Sequence, residues 1–195
     1  MRSPALVVVA SIVASAGLLA CDRDGASPTA SQEPPSASVD PCVARAEAAA
    51  RTLGKALKTR LLASLANGPE AALRTCAEEA QTIHRRVAEE TGVRVGRTAT
   101  KLRNPANADA PQWVWAYLRQ HGAHPMPAPL LREREGAQAR ALLPLGAGGV
   151  CQTCHGAAVS PRVREAIAER YPGDEAVGFG SEELRGVLWA EADCE

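Results

Sequence analysis

The chain has 195 residues, room for one domain of ordinary size plus appendages, and its 22 basic and 22 acidic side chains cancel. That balance gives no basic surface of the kind nucleic acid selects, so no nucleic-acid partner is expected. Aromatic residues are only 3%, and a buried flat cofactor would supply the large apolar surface those side chains usually provide.

Met1-Arg2 is a short basic start. Ala5 to Ala20 is an apolar run of about 16 residues, shorter than the roughly 20 that cross a bilayer as a helix, so residues 1–20 read as a signal peptide. The run ends Leu18-Leu19-Ala20-Cys21, which resembles a bacterial lipobox, with cleavage before Cys21 and acylation of its thiol. The competing reading is an ordinary secretory cleavage nearby. Acylation would hold the protein at a membrane of the cell envelope, on the periplasmic side. Residues 21–40 are Ser, Ala, Pro, Gly and charge with almost no large apolar side chain, and read as a disordered tether of roughly 25 Å end to end.

The folded domain is expected over 41–195. Asp40-Pro41 pairs an N-cap with proline at the first helical position, opening a helix to about Ala66 with Val43, Ala46, Ala50, Leu53, Leu57 and Leu61 on one stripe. Asn67-Gly68-Pro69 stops it. A second helix reaches Thr91-Gly92 with Leu73, Cys76, Ala80, Ile83 and Val87 on its buried stripe. Val93 to Ala99 alternates as a strand does, and Leu102 to Asn107 is a loop because Asn-Pro initiates turns. Pro111 opens a short helix carrying Trp113 and Trp115, read as core, and ended by His121-Gly122. Two strands are expected between Leu130 and Leu145 about a turn at Glu135-Gly136. Ser160-Pro161 caps a helix to about Arg170; Leu184 to Ala190 is a final strand.

Cys151-Gln152-Thr153-Cys154-His155-Gly156 carries the chemistry. A C-x-x-C-H run places two thiols to add to the two vinyl groups of one haem, and delivers the following histidine beneath the iron as an axial ligand. The expectation is a single covalent haem c on Cys151, Cys154 and His155. C-x-x-C also occurs in dithiol redox sites and in zinc sites. A thioredoxin-type motif should follow a hydrophobic strand, whereas Gly146 to Val150 is a glycine-rich approach. Zinc would need a further ligand from Cys76 or a distant histidine. Arg97, Lys101 and Arg103 have the chemistry to pair with haem propionates, or they line a solvated strand edge. His84, His121 and His124 read as surface or loop residues. Met126, between Pro125 and Pro127, is a poor iron ligand, and Tyr171 to Asp174 reads as a structural turn. Cys42 and Cys194 bracket the domain and are the natural disulfide pair in an oxidising compartment.

Val95-Gly96-Arg97-Thr98 with Leu102-Arg103-Asn104-Pro105-Ala106-Asn107, the C-x-x-C-H run with Gly156, Tyr171 to Phe179, and Leu184-Arg185-Gly186 come in one order with a helical Cys76. In that order they resemble a family of exported c-type haem-binding domains with a PAS-like fold, long catalogued as a domain of unknown function. Ala99 and Val114 depart from the family's usual Ser and Glu. The resemblance implies an α+β fold, a PAS-like antiparallel sheet with long N-terminal helices, and haem lodged between helix and sheet. It also implies that Cys76 is the second iron ligand. Cysteine parity agrees: of six cysteines, one acylated and two on haem leave an odd three. The competing reading of Cys76 is an inert buried thiol. Two classes of function follow: redox or gas sensing or electron transfer with an unidentified redox or signalling partner, or a haem enzyme such as a peroxidase. No distal acid–base set is evident, which favours the first.

Overall fold

The computed structural model describes residues 39–122 and 125–195. The signal peptide, Cys21, almost all of the tether, and His124 lie outside the described residues. Helix α1 (Pro41–Leu65) opens where the Asp40 carboxylate accepts the backbone N–H groups of Cys42 (2.8 Å) and Val43 (3.3 Å), two donors that the first helical turn cannot satisfy itself. Such a cap contributes about 1 kcal/mol. Val43, Ala46, Ala50 and Leu53 are buried on one stripe, as their spacing predicts.

The single second helix expected up to Thr91 is two helices, α2 (Pro69–Glu78) and α3 (Ala80–Thr91), parted at Glu79, whose φ is −107°. The apolar steps of three and four run unbroken across the break, so periodicity alone does not reveal it. What separates the two is their partners: Leu73 of α2 packs with Val163, Ile167 and Tyr171, while Ile83 and Val87 of α3 join the main core beneath α1. Gly92 ends α3 in the left-handed conformation (φ 63°) that glycine adopts without steric cost.

Strands β1 (Arg94–Thr98), β2 (Leu131–Glu135), β3 (Gln138–Gly146) and β4 (Leu184–Asp193) form one antiparallel sheet in the order β1-β4-β3-β2. The last strand runs three residues beyond the expected Ala190, and Cys194 is disulfide-bonded to Cys42, fastening the sheet's end to the start of α1. One face of the sheet packs under α1 and α3 in a core of alanine, valine and leucine. The other is covered by α4 (Gln112–His121), with Val114, Tyr117, Leu118 and Trp189 buried and Trp113, Trp115 and Met126 packed at their edge. Two glycines set the spacing. A Cβ on Gly54 of α1 would lie 2.7 Å from Leu188 of β4, and one on Gly96 would lie 2.5 Å from the Trp189 ring. The architecture is α+β with helices ahead of an antiparallel sheet, as the family resemblance implies.

Candidate functional site: a cavity around the C-x-x-C-H turn

Between the end of α1, helix α2 and the ends of β1, β3 and β4 lies a cavity of about 930 Å³, counting the part open to solvent. Leu61, Leu73, Leu102 and Leu145 give it apolar walls, and Cys76, Cys151, Cys154 and His155 all line it. An adjoining chamber of about 1110 Å³ shares Cys76, Cys151, Arg97 and Arg185. Cys76 is half-buried rather than fully buried: it lies on the face of α2 that forms the cavity wall.

The motif itself occupies one short helical turn, α5 (Gln152–His155), which holds its residues on a tight arc. Gln152 ties this turn down by donating its amide to the carbonyls of Ala147 (2.8 Å) and Phe179 (3.2 Å). Gly156 is required behind it, because a Cβ there would lie 2.6 Å from the Gln152 side chain and 2.7 Å from its carbonyl. The loop after α6 (Pro161–Arg170) then runs alongside: Phe179 N–H donates to His155 O (3.0 Å) and Gly178 N–H to Gly156 O (3.2 Å).

The His155 ring is fixed by Nδ1, 2.7 Å from the Ala176 carbonyl. A carbonyl only accepts, so Nδ1 carries the proton and Nε2 keeps its lone pair. Burial first, then the charges of Arg185 and Arg103, push the imidazole pKa down to about 2 against the pull of that hydrogen bond. The ring is therefore a neutral, oriented donor, the form that ligates metals. Burial also holds the Cys154 thiol above its ordinary pKa, although Arg103 pulls the other way. A reactive dithiol needs the opposite shift. Among the described residues, no three His, Cys, Asp or Glu side chains converge closely enough to hold a metal ion.

Arg103 and Arg97 part company. The Arg103 guanidinium is committed: Nε and Nη2 fork onto Asp174 at 3.0 Å each, and Nη2 also donates to the carbonyls of Cys154 (2.7 Å) and Ala176 (3.2 Å). Asp174 in turn accepts the Ala176 N–H (3.0 Å). Arg103 thus braces the loop that orients His155, instead of offering its fork to a ligand. Tyr171 to Asp174 is a turn, as expected, but Asp174 is the anchor of this brace. Arg97 has its Nε buried without a hydrogen-bond partner and forms no ion pair among the described residues, and Arg185, given no role in the sequence, is in the same position. One signal for Arg185 was legible: it is a lone charge in the otherwise apolar run Leu184 to Ala190. His84, expected at the surface, is only 8% exposed. With Ala80, Ile83 and Val87 it completes an i, i+3, i+4, i+7 stripe, so it follows its neighbours into the core. Met126 packs on Gly146 among the residues under α4 and is absent from the cavity wall.

Apolar walls, two cysteines and a neutral histidine on one turn, and buried guanidiniums lacking anions fit a flat apolar dianion, which is what haem is. Fold and site together define a PAS-like α+β domain whose ligand cavity is built around a C-x-x-C-H turn. The Tll0287-like family matches residues 29–190, and the chain belongs to that family. The solved structure described as that of the cyanobacterial heme-protein Tll0287 is similar, with a TM-score of 0.50 and 25% identity over 62% of this chain and 71% of that one. No curated protein matches the chain. The family resemblance in the sequence is borne out.

Proposed function

We propose that this chain is a c-type haem protein that works by redox or gas sensing or by electron transfer, anchored through Cys21 at the periplasmic side of the cell envelope. The observation that carries this reading is the single cavity that collects Cys151, Cys154, His155 and Cys76 with two guanidiniums lacking anions. Cys151 and Cys154 would hold one haem covalently, and His155 Nε2 and the Cys76 sulfur would ligate its iron. When bound, haem supplies a one-electron iron couple whose potential follows the axial ligands. His155 is kept neutral and aimed by Ala176, Cys76 donates charge that favours the ferric state, and the leucine walls limit water. Apart from His155, the cavity is lined by no histidine and no carboxylate among the described residues. That supports sensing or transfer over a peroxidase, which needs a distal acid–base pair. The partner would be a redox or signalling protein of the same compartment.

Denaturing electrophoresis with haem staining of protein matured alongside haem-ligation machinery should give a stained band, and Cys76→Ala should keep it. The variant should lose the thiolate signature of the ferric spectrum, raise the potential and bind carbon monoxide more readily. Loss of the stain on denaturation, or a zinc-loaded protein, contradicts the reading. An unchanged ferric spectrum makes Cys76 structural. Cys21→Ala should abolish lipid labelling and release the protein from membranes.

A further inference from the structure

Three guanidiniums line the cavity around the C-x-x-C-H turn, from Arg97 on β1, Arg103 on the following loop and Arg185 on β4. One carboxylate, Asp174, answers them, and Arg103 takes both of its oxygens. Two buried guanidinium charges are left; the Lys101 ammonium, also on the cavity wall, is exposed and lies over the Phe179 ring. Neither Arg97 nor Arg185 makes an ion pair among the described residues, and each has a buried Nε without an acceptor. Guanidinium stays protonated under all ordinary conditions, so burial here is a cost to the fold and not a loss of charge. Burial is the leading influence on both; the Arg97 charge next opposes that of Arg185, and the Arg103 charge opposes both. Structural arginines are not left this way; a fold usually supplies a carboxylate or carbonyls, as this one does for Arg103.

The backbone makes room for the arrangement. Gly186 follows Arg185 where a Cβ would lie 2.5 Å from the Thr98 carbonyl and 3.0 Å from Ala99. The missing side chain lets the start of β4 press against the end of β1, so the strands carrying Arg185 and Arg97 converge on one cavity. We infer that Arg97 and Arg185 form a clamp for two carboxylates carried by the cavity's ligand, and that Arg103 takes no part in it. This rests on the haem reading, in which those carboxylates are the propionates. It adds that the clamp selects dianionic over neutral porphyrins and that Arg185 trades stability of the empty domain for ligand affinity.

The test uses the full chain made without haem-ligation machinery, and two metal-free probes that cannot form thioethers because they lack vinyl groups: mesoporphyrin and its dimethyl ester. The wild type should bind the diacid roughly 10- to 100-fold more tightly than the ester, the scale of one or two charge-assisted hydrogen bonds. Arg185→Leu should shrink that preference by weakening diacid binding alone, Arg97 still holding one carboxylate, and Arg185→Lys should restore part of it. In the empty protein, Arg185→Leu should raise the melting temperature, because it removes an unanswered buried charge. A merely structural arginine would lower it. If the wild type binds neither probe, the clamp is wrong, while the haem reading, which rests on the thioethers and iron ligands these probes lack, stands or falls by the haem stain. If it binds both equally, or if Arg185→Leu weakens both alike or melts lower, the clamp is wrong while the haem reading stands.

Discussion

Replacing Arg103 by leucine tests how the C-x-x-C-H turn is held. Its side chain is 10% exposed and that of Asp174 is 7% exposed, so the ion pair between them is buried. Arg103→Leu leaves a buried carboxylate without a counter-charge and removes a donor from the carbonyls of Cys154 and Ala176. Breaking a buried pair from one side costs about 3–5 kcal/mol. Removing both charges together is far milder, since the largest part of the single cost is the stranded partner. Urea unfolding followed by far-ultraviolet circular dichroism should therefore show Arg103→Leu and Asp174→Leu each strongly destabilised. The double variant should lose about 2–3 kcal/mol less than the sum of the two single losses. A single-variant loss under about 1 kcal/mol, or strict additivity, would refute the brace and return Arg103 to the pool of free cations around the cavity.

Acid should weaken the fold through His84, whose pKa burial and, secondarily, the Arg97 charge lower from 6.5 to about 4. The unfolded imidazole takes its proton first, so stability is complete above about pH 6.5 and falls as pH drops towards about 4, by at most about 3 kcal/mol. His84→Leu should show a correspondingly flatter stability–pH curve, and an identical slope would mean that the ring is not buried in solution. Cys42 and Cys194 close a loop of sequence separation 152, which the chain-entropy account values at up to about 5 kcal/mol. The double serine variant should unfold at lower urea by an amount approaching that, and peptide mapping that finds free thiols would contradict the bond. Gly186→Ala forces a Cβ onto backbone and should cost about 1–3 kcal/mol. Gly173→Ala, with nothing within 4 Å, should stay within about 0.5 kcal/mol of wild type.

The elements most legible in the sequence are those with local causes. Asp40-Pro41, Thr91-Gly92, Glu135-Gly136 and Ser160-Pro161 each announce an end or a turn through their own side chains, and the structure places boundaries at all of them. The C-x-x-C-H turn is equally local. What was hidden depends on contacts far apart in the chain. Whether Arg103 or Arg185 meets a ligand depends on where Asp174 falls, 71 residues from Arg103, and the apolar run that marks Arg185 does not say what its charge meets. The break at Glu79 is silent because both helices keep the same step. His84 was misread because a polar residue at a core spacing was weighed by its type instead of its position. The family resemblance located Gly96 and Gly186, but the reason for them, the indole of Trp189 and the Thr98 carbonyl, is visible only in three dimensions.

The central claim is that Cys151 and Cys154 carry haem. Mass spectrometry of the peptide spanning residues 149–162, taken from protein matured with haem-ligation machinery and denatured in acid, tests it most directly. The peptide should gain the mass of one haem, with both thiols resistant to alkylation. A peptide of unmodified mass with Cys151 and Cys154 freely alkylated, or joined to each other, would contradict it.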